Sequence, residues 1–133
     1  MKSEEKKKRT SPQWIGSLEN NEVFVFGSNL DGFHGGGAAN VALKWGAVWG
    51  QGTGLQGKTY AIPTMFESAD EIRPYADEFI EFAKAHPELN FLVTEIGCGI
   101  AGFTAEEIAP LFARAVEEDV ENIFLPERFH SVI

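Results

Sequence analysis

Phe91-Leu92-Val93-Thr94-Glu95-Ile96 runs directly into Gly97-Cys98-Gly99-Ile100-Ala101-Gly102, and Thr104 and Glu107 follow at capping-box spacing. The first six residues are nearly all apolar, which predicts a central strand covered on both faces. Ile108, Leu111, Phe112, Ala115 and Val116 then recur at helical spacing behind the capping pair, with Pro110 expected to bend that helix. A glycine turn between a strand and a helix leaves backbone N–H groups free, with no Cβ to hold a ligand away. The positive end of the helix dipole adds to the attraction for an anion. A tight structural turn without a ligand has the same composition.

The arrangement occurs twice. Glu22-Val23-Phe24-Val25-Phe26 reads as a strand, followed by Gly27-Ser28-Asn29 and then by Gly35-Gly36-Gly37 at the start of a short helix, about 36–45. Ala38, Val41, Ala42 and Trp45 give that helix its face, and Gly46 is its expected stop. Two such turns in one small domain suggest a pocket for a phosphate-bearing ligand. Asn29, Asp31 and His34 lie between the strand end and the triple glycine. An Asn can hold ribose hydroxyls or orient a water, and Asp or His can take a proton. The same residues are also ordinary turn chemistry.

Between these units, residues 46–57 hold five glycines and read as a loop, and Lys58–Ile62 reads as a strand closed by Pro63. A helix over about 70–86 presents Ile72, Tyr75, Phe79, Phe82 and Ala83 on one face, with Ser68 and Glu71 as its capping box. A last strand is expected over 122–125. Strands alternating with helices imply parallel pairing, with ligands at the carboxyl ends of the strands. Both glycine turns would then share one rim. Glu95 fits either a pocket wall or a paired edge charge.

The chain has 133 residues, 44% hydrophobic and 23% charged, the size and balance of one soluble globular domain. No apolar run approaches the roughly 18 residues of a membrane span, and no signal-peptide stretch opens the chain. Cys98 is the only cysteine, so no intrachain disulfide forms and a reducing cytoplasm is the expected compartment. Without a His or an acid beside it in sequence, Cys98 reads as a small buried residue rather than a nucleophile. Residues 1–12 carry five basic and two acidic side chains, and are expected to be a disordered basic tail before a single domain over 13–133. The remainder has six basic against eighteen acidic residues, a charge of −12. A body so acidic is unsuited to tracking a nucleic-acid backbone, and any phosphate it binds must be held mainly by backbone dipoles.

Gly52-Thr53-Gly54-Leu55-Gln56-Gly57-Lys58-Thr59 matches the P-loop pattern in full, and a P-loop NTPase is the alternative function that it offers. That motif requires a helix immediately afterwards, whereas Lys58–Pro63 reads as a short strand. Gly97–Gly102 matches G-x-G-x-x-G in the right setting, but the acid expected about 20 residues on, at the end of a second strand, is missing.

Taken together, these residues resemble the macrodomain, an ADP-ribose-binding α/β/α module. Glu22–Asn29 looks like the family's strand ending in Asn-Ala-Ala-Asn, with Asn29 kept and Phe26 at the earlier Asn position. Gly35-Gly36-Gly37-Ala38-Ala39 resembles the glycine run that approaches the distal ribose and phosphate. Ile96–Phe103 resembles the second phosphate loop, Gly-x-Gly-(Val/Ile)-(Tyr/Phe)-Gly, with Ala101 where the aromatic stands. The resemblance implies a three-layer α/β/α sandwich with a mostly parallel sheet. It implies ADP-ribose, free or attached to protein, as the ligand, bound without metal or cofactor. Gly27, Ser28, Gly35, Gly36, Gly37, Gly97, Cys98, Gly99, Ile100, Ala101 and Gly102 would hold it, with Phe129 flanking the base. Any chemistry would be hydrolysis of an ADP-ribosyl linkage, with Asn29, Asp31 and His34 as the candidates. A non-enzymatic reader of ADP-ribosylated protein would use the same pocket.

Overall fold

A computed structural model describes residues 9–99 and 101–133. Ile100 and the Lys6–Lys8 run of the tail lie outside the described residues. The chain is an α/β protein built on one six-stranded sheet, ordered β1-β6-β5-β2-β4-β3. The strands are β1 (Thr10–Ser11), β2 (Glu22–Ser28), β3 (Gly54–Gln56), β4 (Thr59–Pro63), β5 (Asn90–Val93) and β6 (Ile123–Pro126). Every pairing is parallel except the β3–β4 hairpin. The helices are α1 (Gly37–Ala42), α2 (Arg73–Ala85), α3 (Ala105–Ile108), α4 (Ala113–Glu117) and α5 (Glu127–His130). Among the described residues, no helix is long and apolar enough to cross a membrane.

β2 is apolar on both faces because both are covered. Val23 and Val25 face a large core with Phe79, Phe91, Ile108 and Phe112. Phe24 and Phe26 face a smaller one formed with Ala39, Ala42 and Trp45. The capping box expected ahead of the long helix is formed: the Ser68 backbone N–H donates to Glu71 at 3.0 Å. A 3-10 turn, Ala69–Ile72, then leads into α2.

The expectations change in four places. Thr10 and Ser11, assigned above to a disordered tail, form an edge strand beside Leu125 and Pro126, and Arg9 pairs with Asp119 at 2.5 Å. The domain therefore begins before residue 13. The glycine-rich 46–57 loop contains β3, which turns through Gly57 into β4. Pro110 does more than bend its helix. It lacks the N–H for a bond to the preceding turn, and the segment breaks into α3, a 3-10 piece (Ala109–Phe112) and α4. Finally, β5 ends at Val93, three residues earlier than the apolar run suggests.

Asn122 anchors the far end of α2, donating from one amide nitrogen to Ala83 O, His86 O and Leu89 O at 2.9, 3.0 and 2.9 Å. Ala83 O and His86 O also accept the backbone N–H groups of His86 and Leu89, both at 3.1 Å, so Asn122 adds a second donor to the turn that ends the helix. Because two of these acceptors keep a backbone donor, Asn122→Ala should cost about 1 kcal/mol, the usual net worth of a buried hydrogen bond. The check is urea unfolding, with a lower midpoint and an unchanged slope.

On the surface, Arg114 reaches Glu118 at 2.7 Å and Asp77 at 3.3 Å, tying α4 to α2, while Lys84 meets Glu118 at 2.8 Å. The Arg114 and Lys84 hydrogen bonds hold the Glu118 carboxyl down at about 2. A depressed carboxyl stabilises the fold above its ordinary pKa and loses that contribution as pH falls toward 2. Thermal melting between pH 5 and pH 2 should fall less steeply in Arg114→Gln than in the wild type.

Candidate functional site

Both glycine turns lie on the rim formed by the carboxyl ends of β2, β4 and β5, and they line one cleft of about 440 Å³. Gly27, Ser28 and Asn29 come from the end of β2, and Gly36–Ala39 from the start of α1. Thr64 and Met65 follow β4, and Thr94, Glu95, Ile96, Gly99 and Ala101 follow β5. Phe33 overhangs the same space. Gly27 and Gly97 bring the two turns together: a Cβ on Gly27 would stand 3.4 Å from the Gly97 nitrogen and 3.2 Å from the Thr64 hydroxyl. Gly97 itself has φ +77, where a side chain is strained and would strike Ile108.

The donors are main-chain amides. Gly36, the N-cap of α1, supplies no side-chain cap, so the N–H groups of Gly37, Ala38 and Ala39 lack an intrahelical partner. In the second turn, the Gly97, Gly99 and Ala101 N–H groups meet no acceptor among the described residues. Cys98 and Gly102 are different, since their N–H groups donate to Glu95 O and Gly99 O inside the turn. Glu95 is the only ionisable side chain in the cleft wall among the described residues. It also lines a second cleft of about 470 Å³ with Ser11, Trp14 and Arg128, and pairs with Arg128 at 3.4 Å. Both readings of Glu95, wall and paired charge, therefore hold at once.

Several expected site residues stand elsewhere. Phe129 is 0% exposed and stacks on Phe112 in the core, so it offers no face to a base. His34 is also 0% exposed, between Phe26 and Trp49, with neither ring nitrogen hydrogen-bonded, and it does not line the cleft. Asp31 is exposed on the loop outside the cleft wall. Asn29 does line the cleft, but its amide is engaged. Nδ2 donates to Phe33 O, and Oδ1 accepts from Phe33 N–H, both at 3.0 Å. The Ser28 hydroxyl donates to Gly52 O. Cys98 faces a separate hollow with Phe103, Thr104 and Arg128. Ile100 lies outside the described residues.

Gly52–Thr59 is not a P-loop. Its glycines build the β3–β4 hairpin, no helix follows Lys58, and the Lys58 amine points to Leu18 O at 3.4 Å. Lys58 also precedes the amino end of β4, whereas the cleft is at the carboxyl end. Among the described residues, no group of three or more His, Cys, Asp or Glu side chains converges to hold a metal ion. The cleft residues missed by sequence reasoning include Phe33, Thr64, Met65 and Thr94. Only Phe33 carried a signal, an aromatic beside the glycine run.

Burial, and then the nearby Glu95 charge, push the Cys98 thiol above its ordinary pKa. Less thiolate forms at neutral pH, which is the reverse of an activated nucleophile. Iodoacetamide at pH 8 should label Cys98 more slowly in the folded chain than in urea, and Glu95→Gln should speed the folded-state reaction.

No protein-family model, curated protein or solved structure matches this chain, and the functional reading rests on the geometry above.

Proposed function

We propose that the rim cleft binds ADP-ribose or a closely related nucleotide diphosphate, in a three-layer α/β/α domain of the macrodomain kind. The observation that carries the reading is that two sets of residues whose amides meet no acceptor among the described residues, Gly37–Ala39 and Gly99 with Ala101, line one cleft, with the buried Gly97 packed behind them against Gly27. The diphosphate lies between them, where oriented N–H groups supply positive potential without a cationic side chain. The distal ribose packs beside Asn29. The adenosine half extends past Thr94 and Glu95 toward the second cleft, where Trp14 is exposed and replaces the buried Phe129 as the aromatic near the base.

The reading is binding rather than hydrolysis. A general base must reach the proton it removes, directly or through one water. Asp31 lies outside the cleft wall, His34 is sealed behind it, and the Asn29 amide is held by Phe33. The cleft would take ADP-ribose either free or as the exposed end of a modified protein.

Gly99 gives a clean test because a Cβ built there meets nothing within 4 Å and its backbone is not left-handed. Gly99→Glu should fold normally and place a carboxylate where the diphosphate sits. Like charges in such contact cost several kcal/mol, so calorimetry should show ADP-ribose affinity falling by about two orders of magnitude or more. Wild-type binding should be the same with and without magnesium. Unchanged affinity in the folded variant would remove the second turn from the site.

A further inference from the structure

We infer that the cleft takes a diphosphate ligand bearing a planar, cationic heterocycle beyond its second ribose, a dinucleotide of the nicotinamide type, with Phe33 as that ring's stacking platform. This rests on the binding reading above and names the ligand class for the same cleft. Phe33 is 66% exposed, so its position gains little from burial. It is nevertheless held by three neighbours. Asn29 hydrogen-bonds both its backbone N–H and its carbonyl, each at 3.0 Å. Its ring lies over Gly35 so closely that a Cβ there would meet ring carbons at 2.4 and 2.6 Å. Trp49, 53% exposed, braces it edge-on with centroids 5.2 Å apart and planes at 69°.

An exposed side chain normally keeps its rotamer freedom. Here the loop's most specific features, the Asn29 amide and the bare Gly35, combine to hold one aromatic ring at the wall of the ligand cleft. A face fixed beforehand binds a flat ring without the entropy cost of ordering it. Met65, 51% exposed, lines the same cleft and adds a further apolar surface. The charge of the ring follows from the surroundings. A cation is attracted to an aromatic face, and residues 13–133 carry −12. Because Asn29 positions Phe33 and the distal ribose packs beside Asn29, the ring is the one attached to that ribose.

The test is calorimetric titration of the full chain with ADP-ribose, oxidised nicotinamide adenine dinucleotide and ADP-ribosyl-arginine. Stacking on an aromatic is worth roughly five-fold or more in affinity, so the dinucleotide should bind at least that much tighter than ADP-ribose. Phe33→Ala should bring the ratio of the two affinities close to one. Gly35→Ala, which displaces the ring without removing it, should do the same, and thermal melting verifies that both variants fold. A wild-type dinucleotide affinity no better than that of ADP-ribose, or a preference for the arginine conjugate, overturns the inference while leaving the binding reading intact. A ratio that survives both substitutions also overturns it. Failure of ADP-ribose itself to bind removes the binding reading, and this inference with it.

Discussion

The site exists because β5 lets go of β2 before β2 ends. The two strands run parallel in register from Glu22 with Asn90 to Val25 with Val93. At that point Thr94 places both its backbone N–H, at 3.1 Å, and its hydroxyl, at 2.8 Å, on the Val25 carbonyl. This double clamp closes the ladder and turns the chain away, while β2 continues beside β4 as far as Ser28 and Pro63. The cleft is the space opened between the departing chain and the last residues of β2. A one-residue slip in the pairing would reverse which side chains face each core, so the packing of Val23, Val25, Phe24 and Phe26 fixes the geometry of the rim.

The cleft's electrostatics follow from the same arrangement. With Glu95 the only ionisable group in its wall among the described residues, attraction for an anion has to come from peptide dipoles. Small residues make this possible, because each Cβ left out lets the ligand approach a main-chain N–H. Glu95 would oppose an anion, but Arg128 offsets it from the neighbouring cleft. On the proposed reading, the cleft selects a ligand by its charge distribution rather than by charge alone.

Much of this was legible in the sequence because the signals are local. Apolar runs fixed β2, β4 and β5, and the pairs Ser68 with Glu71 and Thr104 with Glu107 marked two helix starts where the structure has them. Alternation of strand and helix was enough to expect parallel pairing. What was not legible depends on contacts between distant residues. Two residues of a polar tail become β1 only because β6 offers an open edge, 115 residues from Thr10 to its partner Leu125. Gly54–Gln56 has no strand composition, and pairs because Gly57 folds it back on β4. Phe129 follows the last strand, a position that suits a ligand or a core equally well. Its burial is decided by Phe112. The role of Asn29 was only half readable, since the spacing to Phe33 gives no sign that the amide would be used to fix an aromatic ring.

The most direct measurement is an amide-resolved NMR titration of the isotopically labelled chain with ADP-ribose. Bound phosphate oxygens should shift the N–H resonances of Gly37, Ala38, Ala39, Gly97, Gly99 and Ala101 strongly and together, with the hairpin amides of Gly54–Lys58 unmoved. Shifts confined to the hairpin, or spread over the surface with the two turns silent, would contradict the account.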